Sequence, residues 1–326
     1  MKKYGLVASG GGYRSFYSAG VLVWLKQQGV PIVHLTSTSS GNNIVLDYLL
    51  WDWDKEELPP VLTKTFRLNL KDIFEVFANF LGLQPPLLPN GSHLFTVNKT
   101  MCRKSLHLDD PDRRQILARN LQAVKWDIMT TNLSQRRGEL FNINEILAQI
   151  DDASLSRFMD VFIAGITAMP YFKAVKMNDD YYVEGGYTDN TPLRSLFADP
   201  EVDEIIAIDF TDFDYGAELD KLYGQNMLLL AGTSIDMNIL VNDIQWGLPN
   251  RAILSEAILI NKMLEKVKKT SLEIDGKTYY HKPLHILKPK NLESMTISLE
   301  HMTAQKDYFK LGQEEAGAAL QAVLAS

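Results

Sequence analysis

The sequence predicts an α/β fold of three layers, α/β/α, with a mainly parallel central sheet. Three observations point there. Short apolar runs such as Tyr4–Ala8 and Ile205–Phe210 have the form of buried strands. Helically spaced apolar residues follow the first runs, and a turn of glycine or serine separates each strand from its helix.

Taken in order, Tyr4–Ala8 is a strand stopped by Ser9 and three glycines. Ala19–Gln28 is a helix with Val21, Leu22, Trp24 and Leu25 on one side and Gly29 as its stop. Ile32–Ser37 is a second strand, and Ile44, Val45, Leu46, Tyr48 and Leu49 mark a second helix. Residues 52–124 break this rhythm with an amphipathic helix over Leu70–Leu83 and a Pro-rich loop over residues 84–91. Trp126–Thr131 and Glu139–Ile143 read as paired strands, Leu155–Ala164 as a helix, and Tyr181–Glu184 as a short strand. Residues 217–268 read as two or three helices broken at Gly232 and at Gly247-Leu248-Pro249. A hairpin joins Ser271–Ile274 to Lys277–His281 around Asp275-Gly276, followed by a strand at His285–Lys288 and a helix at Thr303–Leu324. With no repeat, low-complexity tract or linker, the expectation is one domain over residues 1–326, with helical additions at about 52–124 and 217–268.

Composition narrows the function. Lys+Arg number 33 against Asp+Glu 40, a net charge of -7, which disfavours nucleic acid as a partner. A single cysteine, Cys102, excludes an internal disulfide and a cysteine-based zinc site. The N-terminus lacks the apolar core of a signal peptide, and no window is long and apolar enough to span a membrane. The expectation is a cytoplasmic protein, with peripheral membrane contact as an addition.

Three segments carry chemistry. Ser9-Gly10-Gly11-Gly12-Tyr13-Arg14 lies between a strand and its helix. Backbone N–H groups there can serve a phosphate, an oxyanion or only a tight turn. The third glycine of a dinucleotide loop and the Lys-Ser/Thr of a Walker loop are absent. Ser37-Thr38-Ser39-Ser40-Gly41 has Ser39 at the centre of a strand-to-helix turn, with small Ser37 and Gly41 two residues away on either side. It reads as a nucleophile elbow or as a helix cap. Glu184-Gly185-Gly186, leading to Asn190-Thr191-Pro192, is a carboxylate at a strand end or merely a polar turn.

Together the three segments resemble the patatin-like phospholipases, whose pattern runs G-G-G-x-R/K, G-x-S-x-G, then D-G-G/A before Asn-x-Pro. Gly20–Leu22, Ala164–Pro170 and Ile205–Asp209 extend the resemblance, which covers residues 4–50 and 126–210 and, weakly, the last helix. It implies a serine/acid dyad acting on phospholipid or lysophospholipid esters without metal or cofactor. Ser39 would be the nucleophile and Glu184 the base. Gly10, Gly11, Gly12 and Arg14 would form the oxyanion hole, with Ser37, Ser40, Gly41, Gly185 and Gly186 in support. Two positions depart from the pattern. Ser37 replaces a glycine. Glu184 replaces an aspartate, lengthening the acid by about 1.5 Å. These departures keep open a second reading, a catalytically impaired relative that binds lipid or a protein partner.

The remaining candidates are plainer. Asp180 and Asp189 are alternative acids off the motif position. His34 reads as a core or edge residue, His93, His107 and His301 as surface, and His281 and His285 as poor metal ligands. Phe74, Phe77, Phe80, Leu81, Leu87 and Leu88 read as a packed helix or a lipid-facing lid, beside Trp51 and Trp53. Met227–Ala231 and Ile235–Val241 read as buried helix or acyl pocket. Lys262–Lys269 reads as a solvated helix end or a contact for anionic lipid.

Overall fold

The computed structural model describes residues 1–54, 97–169, 172–210, 250–289 and 308–324. The proposed lid, the Pro-rich loop, Met227–Ala231, Ile235–Val241, His93 and His301 lie outside them.

Ten strands are described: β1 Tyr4–Ala8, β2 Ile32–Ser37, β3 Lys125–Asn132, β4 Arg137–Asn142, β5 Val175–Met177, β6 Asp180–Glu184, β7 Glu204–Ile208, β8 Ser271–Ile274, β9 Lys277–Tyr280 and β10 Leu284–Leu287. Eight of them form the central sheet in the order β10-β7-β1-β2-β3-β6-β5, with β4 also on β3. β10, β7, β1, β2 and β3 run parallel, while β4, β5 and β6 form an antiparallel flank. Strands β8 and β9 make the separate hairpin.

The apolar runs are continuous because the parallel strands are covered on both faces. Successive residues alternate between two cores. Leu6, Ala8, Ile206 and Ile208 join one core. Val7, Ile205 and Ala207 join the other. The first core is built with α1 Ser15–Gln27, α2 Ser40–Leu49, α3 Lys99–Ser105, α4 Pro111–Ala123, α5 Ile143–Ile146 and α6 Asp152–Ile166, and with the last helix. The second is built with α7 Arg194–Ala198 and α8, residues 250–267. The last helix, α9 Tyr308–Leu324, packs on α1. This is the mainly parallel, three-layered arrangement expected. No helix among the described residues is long and apolar enough to cross a membrane.

The register around β3 positions the site. β2 pairs with its first half, ending at Ser37 opposite Ile128. β6 pairs with its second half, ending at Glu184 opposite Thr130. β4 pairs with Asp127–Asn132 and so overlaps both. β2 and β6 must therefore occupy the same edge of β3. They meet end to end across Met129, one strand arriving from each direction.

Some boundaries differ from expectation. α1 begins at Ser15, four residues before the expected start at Ala19, because a 3-10 turn over Gly12–Arg14 feeds directly into it. β4 starts at Arg137 and yields at Asn142, whose side chain caps α5 by accepting from the Glu145 N–H.

Candidate active site

Ser39 sits at the junction of β2 and α2 with φ 53 and ψ -129. A non-glycine residue in that region is strained and persists only where its surroundings hold it. The Ser39 N–H donates to Gly165 O at 3.1 Å and Thr38 N–H to Ala8 O at 3.2 Å. A side chain at Gly41 would meet Ala8 O at 2.0 Å, so only glycine lets the turn close against β1.

Whether Ser39 is a cap or a reactive group is decided by where its hydroxyl goes. Four other helices, α3 to α6, take side-chain caps from Asn98, Asp110, Asn142 and Asp151. The flanking residues of α1 and α2, Arg14 and Ser39, make no such bond. Instead Ser39 Oγ donates to Glu184 Oε2 at 2.9 Å. The strand-end meeting across Met129 brings these groups together from positions 145 residues apart.

Glu184 is 2% exposed. Burial pushes its carboxyl up to about 7, against the Ser39 hydrogen bond, which pulls it down. A carboxyl that titrates near neutrality is suited to take and return a proton. Gly185 follows because a Cβ there would meet the Met129 backbone oxygen at 2.6 Å. Gly186 continues the 3-10 turn over Gly185–Tyr187. The longer acid thus fits its site: the glutamate reaches Ser39 at an ordinary hydrogen-bond length.

The other departure, Ser37, is also explained. Its hydroxyl is fully buried, accepts from Trp126 Nε1 at 2.7 Å and donates to Asn42 Oδ1 at 2.7 Å. A glycine would leave the Trp126 N–H without this acceptor.

The glycine loop differs from the expectation of open amides. Gly10 N–H donates to Asn190 Oδ1 at 2.9 Å and Gly11 N–H to Ser40 Oγ at 3.1 Å. Arg14 is 2% exposed, and its guanidinium donates to Gly11 O and Phe210 O at 3.4 Å. Among the described residues, the N–H groups of Gly12 and Ser40 carry no acceptor. Gly12 has φ 57, which turns the loop at that point.

The alternative acids have other tasks. Asp180 opens β6, at the end away from Glu184, and binds Asn132 Nδ2 at 2.9 Å. Asp189 accepts from the Thr191 N–H at 3.0 Å, and burial pushes its carboxyl up to about 7. The described histidines are also engaged elsewhere or exposed. His34 lies between Asp127 Oδ2 and Asp199 Oδ2, each at 2.9 Å. His281 faces Glu265, His285 faces Glu204, and His107 is exposed. Among the described residues no group of three or more His, Cys, Asp or Glu is placed to hold a metal ion.

A family model described as patatin-like phospholipase matches residues 6–197, more than half of the chain. Curated proteins give no match. Similar solved structures include VipD from Legionella pneumophila, at 13% identity and a TM-score of 0.45, covering 99% of this chain and 67% of that one. The type III effector protein ExoU matches at 11% identity and a TM-score of 0.32, covering 98% of this chain and 53% of that one. The chain therefore spans about half the length of the second protein.

Proposed function

The chain belongs to the patatin-like phospholipase family, and from that premise we propose that it is a serine acyl hydrolase of phospholipid or lysophospholipid esters. The observation that carries this reading is the 2.9 Å bond from Ser39 Oγ to a buried carboxyl poised near neutral pH.

The chemistry follows from the groups present. Ionised Glu184 draws the proton from Ser39 as Oγ attacks the ester carbonyl carbon. The carbonyl oxygen becomes an oxyanion at the start of α2, where the helix dipole favours negative charge. The Gly12 and Ser40 amides are the donors left to receive it. One such donor is worth about 2.7–4 kcal/mol in acyl transfer. Protonated Glu184 then returns its proton to the departing alkoxide, which leaves acyl-Ser39. Water attacks the acyl carbon, Glu184 takes its proton, and the fatty acid departs as Ser39 is reprotonated. The substrate resides at a lipid–water interface, so the enzyme acts there as a peripheral protein.

A fluorophosphonate probe tests the reading. We expect one labelled serine in the wild type and none in Ser39→Ala. Labelling that persists in Ser39→Ala removes Ser39 from the site. A wild type that stays unlabelled, yet binds lipid vesicles, favours the impaired lipid-binding relative.

A further inference from the structure

Three consecutive residues after the acid turn each hold a different part of the site. Asp189 O accepts from Thr38 Oγ1 at 3.3 Å, which ties down the elbow. Thr191 Oγ1 donates to Asn250 Oδ1 at 2.8 Å and lies 3.2 Å from Ser9 Oγ, which ties in α8 and the start of the glycine loop. Between them, Asn190 meets Gly10 twice. Its Oδ1 accepts the Gly10 N–H at 2.9 Å and its Nδ2 donates to Gly10 O at 3.0 Å. The paired bonds fix which way the amide faces, since a flipped amide would set donor against donor.

The contact is tight as well as polar. A Cβ at Gly10 would lie 2.5 Å from Asn190 Oδ1 and 2.7 Å from Ser39 Cβ. Gly10 is thus pressed between the asparagine amide and the nucleophile. On the far side of the loop, Ser40 Oγ holds the Gly11 N–H and lies 2.6 Å from Ser15 Oγ. With the loop pinned at Gly10 and Gly11, the next amide, on Gly12, is the first left open.

We propose that Asn190 is a positioning residue: its paired bonds to Gly10 fasten the glycine loop to the acid turn and so aim the Gly12 amide at the oxyanion. This assignment rests on the hydrolase reading and adds to it a residue 180 positions from the loop it holds. Asn190 touches neither the ester nor the reacting atoms. Its effect is to remove play from a donor whose displacement by about 1 Å costs on the order of 100-fold in rate.

The test uses the full chain and Asn190→Ala, with Asn190→Asp as a near-isosteric variant that keeps the acceptor for the Gly10 N–H. In the alanine variant kcat should fall about 10–100-fold while KM stays within about twofold, as for loss of an interaction made in the transition state. Affinity for a trifluoromethyl ketone lipid analogue, which forms a tetrahedral adduct, should fall by the same factor. Affinity for a non-hydrolysable ether lipid should not change. Asn190→Asp keeps the acceptor for the Gly10 N–H but sets an oxygen against Gly10 O, so it should show the same kcat-selective loss. An unchanged kcat, or a loss shared equally by the ether lipid, overturns the proposal. If the alanine variant does not fold, the aspartate variant must show the same kcat-selective loss, and its absence overturns the proposal equally. Amide exchange at Gly10 separates this from failure of the hydrolase reading. Exchange should be slow in the wild type and at least about tenfold faster in the alanine variant, whether or not the protein turns over an ester. Equal exchange in both overturns the clamp.

Discussion

Two pairs of buried carboxylates at opposite ends of the central sheet, Glu184 with Asp189 and Asp199 with Glu204, are treated in opposite ways. At the carboxyl ends of the parallel strands, Glu184 and Asp189 have no ion-pair partner among the described residues, and burial raises both to about 7, in Asp189 against a weaker pull from the Thr191 N–H and Arg194. At the amino ends the carboxylates are matched with cations. Burial pushes Asp199 up, but Lys125, the Glu201 N–H and His34 together hold it below the usual range. Burial likewise raises Glu204, and Lys2 and His285 more than reverse it. Lys282 Nζ, also buried there, donates to Asp199 O and Val202 O. Burial alone therefore does not mark a functional carboxylate. What separates Glu184 and Asp189 from Asp199 and Glu204 is the missing ion pair, which keeps the proton exchangeable near neutrality in one pair and locks the charge in the other. The contrast belongs to these groups and not to the whole end, since Asp209, past the end of β7, has Lys288 at 3.5 Å.

The largest expected effect comes from breaking the uncompensated pair. Glu184→Gln removes the proton acceptor and should lower kcat by about 100–10,000-fold, the range of general base catalysis. Thermal stability should hold or rise, because an amide is cheaper to bury than a carboxylate. In the wild type, activity should climb with pH through about 7, as Glu184 loses its proton. A steady-state pH profile beside a melting curve checks both points.

Next in size is the compensated pair. His34→Ala removes a hydrogen bond from each of the buried Asp127 and Asp199 carboxylates, while Asp199 keeps Lys125, and should cost about 3–5 kcal/mol of stability in all, at about 1.5–3 kcal/mol per bond to a charged group. kcat measured below the lowered melting temperature should be unchanged. The two pairs also respond oppositely to pH. Asp199 and Glu204 titrate lower when folded, so their stabilisation is present above the ordinary values of 3.8 and 4.5 and is lost as pH falls through the folded ones. Glu184 and Asp189 titrate higher when folded, so they weaken the fold as pH rises from those ordinary values towards about 7. Urea unfolding across pH 3 to 8 in wild type, His34→Ala and Glu184→Gln should separate the two trends.

The smallest effect is expected at Ser37. Ser37→Gly restores the family residue but orphans the buried Trp126 N–H, for a loss of about 1–3 kcal/mol with little change in kcat. A gain in stability would show that the serine hydroxyl is not needed where it lies.

Local chemistry was legible in the sequence, and distant pairing was not. β1 and β2 match their apolar runs residue for residue, since strands buried on both faces need no partner to be recognised. The Asp275-Gly276 turn fixes its hairpin for the same local reason: both residues take positive φ, 50 and 72. β5, three residues of mixed polarity, carries no periodic signal. The start of α1 was hidden by Ser15 and Ser18, polar residues that the core nonetheless buries. At the site, Ser39, Gly41 and Glu184 announce themselves through turn chemistry. The holds on the Gly10 and Gly11 amides do not, because Asn190 and Ser40 come from other elements. The fit of the extra methylene of Glu184 is hidden from the sequence for a related reason. Whether it fits depends on strand register, which spacing along the chain does not encode.

The end-to-end meeting of β2 and β6 has a consequence for where this chain can vary. Ser39 and Glu184 both follow from one edge of one strand, with Met129 between the last paired residues of β2 and β6. Their separation is therefore a ruler mark on β3, not a property of the long segments between them. Residues inserted before Lys125 or after Asn132 lengthen connections and leave that mark alone. One residue inserted between Ile128 and Thr130 would shift it by a full strand step, about 3.3 Å, and turn the following side chains to the opposite face. The reach of the Glu184 side chain and the spacing on β3 are thus one quantity, and a change in either has to be matched by the other.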